Sequence, residues 1–131
     1  MAISNRKAIF HCEVQKVWDV VTSLTEYGWR SDIDKIEVLS EIDFVEYTKD
    51  GYATTFTITA AEPWQRWEFD MENDNIKGHW TGLFFQENGK TTVDFTEDVT
   101  AKKAWMKPFV KGYLKKQQAR YMEDLKKVLG C

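Results

Sequence analysis

The chain has 131 residues, of which 43% are hydrophobic and 15% aromatic, enough apolar material for one continuous core. We therefore predict a single domain over residues 1–131. Charged residues make up 30% of the chain, but the formal net charge is only -3, which disfavours a nucleic-acid-binding role and attraction to anionic lipid. No apolar run approaches the roughly 18 residues of a transmembrane helix, and the first residues lack a signal-peptide pattern. We expect no membrane insertion and a cytoplasmic location.

The two cysteines are Cys12, on or near an early strand, and Cys131, at the last position. Two cysteines placed in this way give neither a disulfide framework nor a metal-ligand spacing, so both are predicted to be free thiols. The two histidines add no metal-ligand pattern. We expect no metal and no cofactor.

The first part of the chain predicts a strand that ends near His11, followed by a helix over Val14 to Leu24 with apolar residues at three- and four-residue intervals. A short helix or turn is expected from Thr25 to Trp29. From about residue 34 to residue 100, β-branched and aromatic residues alternate between turn signals, which predicts a meander of strands.

The turns fix the register of the meander. Two-residue loops at Asn88-Gly89, Asp74-Asn75 and Pro63-Trp64 place the same apolar residues on one face. The predicted cross-strand pairs are Phe84 with Val93, Gly82 with Phe95, Trp80 with Glu97, Gly78 with Val99, Met71 with Gly78, Phe69 with Trp80, Trp67 with Gly82, Ala60 with Trp67, Ile58 with Phe69 and Phe56 with Met71. With Asp50-Gly51 as a further two-residue loop, Val45 and Tyr47 join this inner face.

The opposite face is predicted to be polar. His79 lies there between Asp70 and Asp98, which favours a surface charge cluster over a catalytic base. Leu83 and Phe85 are the apolar exceptions on this face.

The last segment, from about Ala104 to Leu129, predicts a long amphipathic helix. Pro108 lies in its first turn or kinks it, and Gly130 is placed to end it. The predicted apolar or aromatic face comprises Trp105, Phe109, Tyr113, Leu114, Gln117, Tyr121, Leu125 and Val128.

Three segments carry a resemblance to a known superfamily: Val17 to Val21 in the first helix, Tyr27 to Asp32 after it, and Gly78 to Gly82 in a late strand. With the order of elements, they resemble the START-like or SRPBCC superfamily, which includes polyketide cyclases, pollen-allergen-like proteins and the activator domain of the Hsp90 co-chaperone. The resemblance implies an α+β helix-grip fold, in which a curved antiparallel sheet of about seven strands wraps a long C-terminal helix, with short helices after the first strand.

The resemblance also implies that a bulky apolar small molecule binds between the sheet and the long helix. Gly78 and Gly82 flank Trp80 on the inner face; they either widen this space or make room for the rings opposite them. The segment with Trp29, Arg30 and Asp32 is expected at one end of the cavity. The candidate ligand-binding residues are Trp29, Arg30, Phe56, Ile58, Trp67, Phe69, Trp80, Phe84, Phe95, Glu97, Phe109, Tyr113 and Gln117.

Glu97 is the sharpest single candidate, because the register places it on the inner face, where an unpaired carboxylate is costly. Arg30, or Tyr113 and Gln117 from the long helix, could supply a partner, and burial would raise its pKa into a range suited to proton transfer. The alternatives are a bulge that turns Glu97 to solvent, or a structural ion pair.

Three functions stay open at this stage. The first is binding or transport of a hydrophobic molecule, lipid-like or aromatic, in the cavity. The second is a cyclase- or aromatase-like enzyme that uses Glu97. The third is a protein-interaction module of the Hsp90-activator type, which would use the outer surface. A monomer and a homodimer are both open.

Overall fold

The computed structural model describes residues 2–131. Seven strands form one antiparallel sheet in the order β1-β7-β6-β5-β4-β3-β2. The elements are β1 (Ala2–Phe10), α1 (Val14–Thr22), β2 (Lys35–Val38), β3 (Asp43–Tyr47), β4 (Ala53–Glu62), β5 (Arg66–Glu72), β6 (Ile76–Glu87), β7 (Lys90–Ala101), a short 3₁₀ turn (Ala104–Met106) and α2 (Lys107–Leu129). This is the predicted helix-grip α+β fold, with turns rather than a second short helix between α1 and β2.

The long helix α2 lies on the concave face of the sheet and contacts β1, β7 and α1. Pro108 lies in its first turn, where a missing N–H costs nothing, and Gly130 ends it with a positive φ of 67°. Both positions agree with the prediction. The face that α2 buries is formed by Val110, Leu114, Gln118, Met122, Leu125 and Leu129.

The predicted face of α2 is therefore wrong in part. Trp105, Phe109, Tyr113 and Val128 are exposed, while Leu114 and Leu125 are buried as expected. Gln118 occupies a buried position because it forms two hydrogen bonds with Ser4 of β1, through its Oε1 at 2.7 Å and its Nε2 at 3.0 Å. Buried polar groups require such partners.

The registers of β5 with β6 and of β6 with β7 are as predicted, including Trp80 opposite Glu97 and Phe69 opposite Trp80. The β6–β7 turn has positive φ at both Asn88 (53°) and Gly89 (76°), as a type I′ turn requires. The turns at the two ends of β6 have the predicted two-residue length, so the registers of β6 with its two neighbours are correct.

The β4–β5 register departs from the prediction near its turn. Three residues, rather than two, connect Glu62 to Arg66, and a bulge between Ile58 and Ala60 absorbs the extra residue. Trp67 consequently faces Ala61 and not Ala60. The pairs further from the turn, such as Ile58 with Phe69, are confirmed.

The β3–β4 register is one residue away from the prediction. The loop runs over residues 48–52, closed by a hydrogen bond from the Thr48 N–H to the Tyr52 carbonyl at 2.9 Å. Phe44 pairs with Phe56 and Glu46 pairs with Thr54. A shift of one residue exchanges the faces of a strand, so the predicted inward position of Val45 and Tyr47 is wrong, and Phe44 and Glu46 point inward instead.

The prediction that both cysteines are free is also wrong, because the structure joins Cys12 and Cys131 in a disulfide with a Cα–Cα distance of 6.0 Å. Cys12 precedes α1 and Cys131 follows α2, and the packing of α1 on α2 brings the two together. The disulfide connects residues 119 positions apart, so no local spacing could indicate it.

Candidate functional site

A cavity of about 180 Å³ lies between the concave face of the sheet and α2. It is comparable to an engineered apolar cavity of ~150 Å³ that binds benzene. One part of its wall is aromatic: the Phe69 and Trp80 rings stack with centroids 4.9 Å apart, and Trp80 contacts Phe95 at 4.7 Å. The other part is polar and includes Arg30, Glu46 and Glu97. The apolar lining comprises Val21, Leu24, Ile33, Ile36, Phe44, Phe56, Trp67, Phe69, Met71, Ile76, Trp80, Phe95 and Met122.

One end of the cavity holds a buried charge cluster centred on Arg30. Its guanidinium donates two hydrogen bonds to Asp32, at 3.0 and 2.9 Å, and two to Glu46, at 3.2 and 3.3 Å. The Arg30 side chain is only 14% exposed. Burial of Arg30 opposes its charge, but Glu46 and Asp32 outweigh that effect and raise the pKa of Arg30. For Asp32, burial is likewise outweighed by the Arg30 hydrogen bond, which lowers the pKa of this carboxyl.

Glu97 lies beside this cluster and lines the cavity. No hydrogen bond from the described residues reaches its carboxyl group, since Arg30 already binds two other carboxylates. The expected partnership of Glu97 with Arg30, Tyr113 or Gln117 therefore does not form. Burial raises the pKa of Glu97 to about 7, against a partial opposing effect of the Arg30 charge. Near neutral pH this carboxyl can donate or accept a proton.

The mouth of the cavity lies between α2 and the β3–β4 loop. Tyr113 lines the cavity and is also 54% exposed, and Tyr52 lines it from the loop. The Gln117 Nε2 donates a hydrogen bond to the Tyr113 hydroxyl at 2.7 Å. Burial and the nearby Glu97 charge raise the pKa of Tyr113, which keeps its hydroxyl neutral.

Nine of the thirteen predicted ligand-binding residues line the cavity, and four do not. Phe84 belongs to the core, with its ring 5.1 Å from that of Trp18. Ile58 packs against the core beside the cavity, and Phe109 projects outward with 68% of its surface exposed, so its predicted inward position is wrong. The residues that line the cavity are Arg30, Phe56, Trp67, Phe69, Trp80, Phe95, Glu97, Tyr113 and Gln117.

Trp29 is the fourth predicted residue that does not line the cavity, and it packs against Tyr121, which does. Its ring contacts Tyr121 edge to face at 5.2 Å, and the Arg30 guanidinium lies over the Tyr121 ring at 5.1 Å. The Trp29 Nε1 is buried and finds no hydrogen-bond acceptor among residues 2–131.

Among the site residues that were not predicted from the sequence, Glu46 and Tyr121 both contact Arg30. The predicted β3 register was one residue off and placed Val45 and Tyr47 inward, so Glu46 was overlooked. Tyr121 lies on the predicted face of α2 but was not selected, although its ring contacts Phe95 at 5.9 Å and it lines the cavity. Burial raises the pKa of Tyr121. Its four-residue spacing from Gln117 could have indicated its position.

His79 is on the outer face, as predicted, opposite Asp70 on one side and Asp98 on the other. Its Nδ1 lies 2.6 Å from an Asp70 carboxylate oxygen, and its Nε2 lies 2.7 Å from Glu68. Burial opposes the charged form, but these two carboxylates outweigh it and raise the pKa of His79. The arrangement is a surface charge cluster on the side of the sheet away from the cavity.

Comparison with known families agrees with this architecture. Residues 1–130 match the model of a family described as polyketide cyclase / dehydrase and lipid transport. The chain belongs to this family. The match confirms the superfamily resemblance seen in the sequence, and the polyketide cyclase and lipid transport family has a fold suited to binding hydrophobic ligands. None of the curated proteins matches the chain.

Several solved structures share the fold at low sequence identity. A conserved protein from Geobacillus kaustophilus is similar with a TM-score of 0.84 and 11% identity, over 98% of this chain and 95% of that one. A START superfamily protein from Mycobacterium smegmatis is similar with a TM-score of 0.82 and 14% identity, over 95% and 94%. DynU16, a putative protein in the dynemicin biosynthetic locus, is similar with a TM-score of 0.70 and 15% identity, over 94% and 48%.

Proposed function

We propose that the protein binds or transports a hydrophobic small molecule, lipid-like or aromatic, in the cavity between the sheet and α2. The observation that carries this proposal is a space of about 180 Å³ that the surrounding aromatic side chains leave unfilled. Protein interiors are ordinarily close-packed, so a space of this size with an aromatic wall and a few polar groups favours occupation by a ligand.

The size of the cavity limits what it holds. A one- or two-ring aromatic compound fits within it, by comparison with cavities that bind benzene. A longer chain would extend through the mouth between Tyr52 and Tyr113. Transfer of apolar area from water to the aromatic walls supplies the affinity, at roughly 25 cal/mol per Å² before the cost of immobilising the ligand.

Glu97 supplies a polar contact for the ligand. With a pKa of about 7, its carboxyl is largely protonated in mildly acidic solution and can donate a hydrogen bond to a carbonyl or hydroxyl oxygen. The Tyr121 hydroxyl is a second neutral donor in the same cavity. A ligand with an aromatic body and one oxygen substituent complements this arrangement.

Isothermal titration calorimetry with 1-naphthol tests the proposal. Gln117→Trp places a large ring at the mouth of the cavity and should weaken binding at least tenfold. Glu123→Trp makes the same change at an exposed position of α2 that does not line the cavity, so binding should be unchanged. Absence of binding to the unmodified protein, or equal binding by all three proteins, would contradict the proposal.

An enzymatic role is the second candidate, because Glu97 is a half-buried carboxyl that lines the cavity and accepts no hydrogen bond from residues 2–131. Such a group can move a proton to and from a carbon adjacent to carbonyl groups. Benzoylacetone, a one-ring β-diketone, provides the test: the protein should accelerate exchange of its central hydrogens in deuterated water, and Glu97→Gln should abolish the acceleration. No acceleration by the unmodified protein would remove the enzymatic candidate.

The interaction role of the Hsp90-activator type depends on the outer apolar residues Leu83 and Phe85. Phe85 is exposed and Leu83 is half-buried. Because only one of these two side chains is exposed, we rank this role third. The single domain, the cytoplasmic location and the choice between monomer and homodimer stay predictions.

A further inference from the structure

The charges of this chain are strongly segregated, which the net charge conceals. Residues 102–120 contain seven of the 18 basic residues and none of the 21 acidic residues. We call this the basic segment; it covers the connection after β7, the 3₁₀ turn and the first half of α2. All seven side chains are exposed: Lys102, Lys103, Lys107, Lys111, Lys115, Lys116 and Arg120. Within the described part of the chain, Lys102 alone of the seven forms a salt bridge, with Glu72 at 2.6 Å.

Three large aromatic residues are exposed within the same segment. Trp105 is 70% exposed, Phe109 is 68% exposed, and Tyr113 follows at the same four-residue spacing. This spacing places Phe109 and Tyr113 on one side of α2, and we call the three residues the aromatic stripe. Lys116 and Arg120 continue that side of the helix at seven and eleven residues from Phe109. Exposed aromatic residues among lysines are unfavourable in water and indicate a partner surface.

The aromatic stripe reaches the entrance of the cavity. Tyr113 belongs to the stripe and also lines the cavity, where its hydroxyl accepts the hydrogen bond from Gln117. A surface that covered the stripe would therefore lie over the mouth. A ligand could then enter or leave without crossing bulk water.

We propose that the basic segment and the aromatic stripe form a docking surface for an anionic lipid bilayer, with the cavity mouth facing the headgroups. Lysine and arginine side chains match the negative headgroups, and aromatic rings partition to the boundary between headgroups and acyl chains. No spanning segment is needed, and no helix among residues 2–131 is long and apolar enough to cross a membrane. The net charge of -3 disfavours attraction of the whole chain to anionic lipid, but the basic segment alone is positively charged and can attract it.

A bilayer suits the surface better than a nucleic acid does. The aromatic stripe lies on the exposed side of a helix and not in a groove that could follow a phosphate backbone. The remaining residues carry all 21 acidic side chains and only 11 basic ones, so they repel a polyanion that extends beyond the docking surface. A flat anionic surface can contact the side of α2 that carries the aromatic stripe, Lys116 and Arg120 without covering most of the acidic residues.

Vesicle cosedimentation tests the proposal with two lipid compositions: pure phosphatidylcholine, and phosphatidylcholine with about 30% phosphatidylserine. We expect at least roughly tenfold tighter binding to the anionic vesicles, weakening as salt screens the lysines. Equal binding to both vesicles, or binding to neither, would overturn the proposal.

Three sets of variants separate a docking surface from general attraction. Trp105→Ala/Phe109→Ala should weaken anionic-vesicle binding roughly tenfold, because the rings no longer enter the interface. Lys111→Gln/Lys115→Gln/Lys116→Gln should remove most of the dependence on phosphatidylserine. Lys90→Gln/Lys126→Gln/Lys127→Gln removes the same number of charges at exposed positions outside the basic segment; it is the matched control and should bind normally.

All substituted side chains are exposed, so the variants should fold, and thermal unfolding checks that they do. A control variant that loses as much binding as the lysine variant would overturn the proposal. So would full binding by the aromatic variant together with complete displacement by polyuridylic acid, which would indicate a general polyanion site. Titration with 1-naphthol in the absence of vesicles reports on the cavity separately.

Discussion

Trp80 and Glu97 face each other across β6 and β7, on the side of the sheet that lines the cavity. The pair places a large aromatic ring beside a carboxyl group that no described residue hydrogen-bonds. Arg30, the nearest cation, is held by Asp32 and Glu46. The cavity therefore combines aromatic walls with one free acid, and this combination distinguishes it from an ordinary packed core.

Glu97 should make stability depend on pH. Its pKa is raised to about 7 in the folded protein from an ordinary value of 4.5, so the folded protein binds the proton more tightly than the unfolded chain. The corresponding stability is present below about pH 4.5 and is lost as pH rises to about 7. Glu97→Gln should be more stable than the unmodified protein at pH 8, by up to ~3 kcal/mol, and similar to it near pH 4.5. Urea unfolding at the two pH values measures this, and an equal difference at both would contradict it.

Arg30 should be important for stability, because its removal leaves the half-buried carboxylates of Asp32 and Glu46 without their partner. Arg30→Met should lower the free energy of unfolding by ~2–3 kcal/mol, which is less than for a fully buried pair because the two carboxylates remain 26% and 16% exposed. Arg66→Met is the matched control: its pairs with Glu62 and Glu68 are on the outer face, and the change should cost about 1 kcal/mol or less. Similar losses of unfolding free energy for the two variants in urea would contradict a larger contribution of Arg30 to stability.

Gly82 should tolerate no side chain. A Cβ at this position would lie 2.5 Å from the Trp80 ring and 3.3 Å from Phe95, so the glycine accommodates rings and does not widen the cavity. Gly82→Ala should cost ~1–3 kcal/mol through displacement of Trp80. Gly112→Ala is the control, because a Cβ there meets open space on α2 and should stabilise the helix by ~0.5–1 kcal/mol. Thermal unfolding of both variants measures these changes in stability. A Gly82→Ala variant as stable as the unmodified protein would contradict the prediction.

The disulfide between Cys12 and Cys131 should stabilise the folded chain by restricting the unfolded one. Cys131→Ser should lower the free energy of unfolding by ~2–5 kcal/mol without reductant, and dithiothreitol should lower it in the unmodified protein alone. Thiol titration of the denatured, unreduced protein should detect no free thiol. Two free thiols in that assay would restore the expectation made from the sequence.

The sequence predicts the inner face best where turns are short. Asn88-Gly89 and Asp74-Asn75 behave as two-residue loops, so the partners of Trp80 follow from counting along the chain. Asp50-Gly51 lies within a five-residue loop, and the resulting shift of one residue hides Glu46. Turn signals locate a loop but do not measure its length.

The prediction of the buried face of α2 and the prediction of two free cysteines were wrong for different reasons. Hydrophobic periodicity assumes that aromatic residues are buried, whereas Trp105 and Phe109 are exposed beside the cavity mouth and Gln118 is buried through Ser4. The disulfide depends on the packing of α1 against α2, which no local pattern encodes. Tertiary packing therefore determines both which residues of α2 are buried and that the two cysteines are paired.

NMR of the protein with 1-naphthol shows whether the cavity binds an apolar ligand. We expect nuclear Overhauser effects between ligand protons and the rings of Phe69, Trp80 and Phe95, which line the cavity. They should disappear in Gln117→Trp and persist in Glu123→Trp. Ligand contacts confined to Phe85 on the outer face, or none in the saturated protein, would contradict the claim.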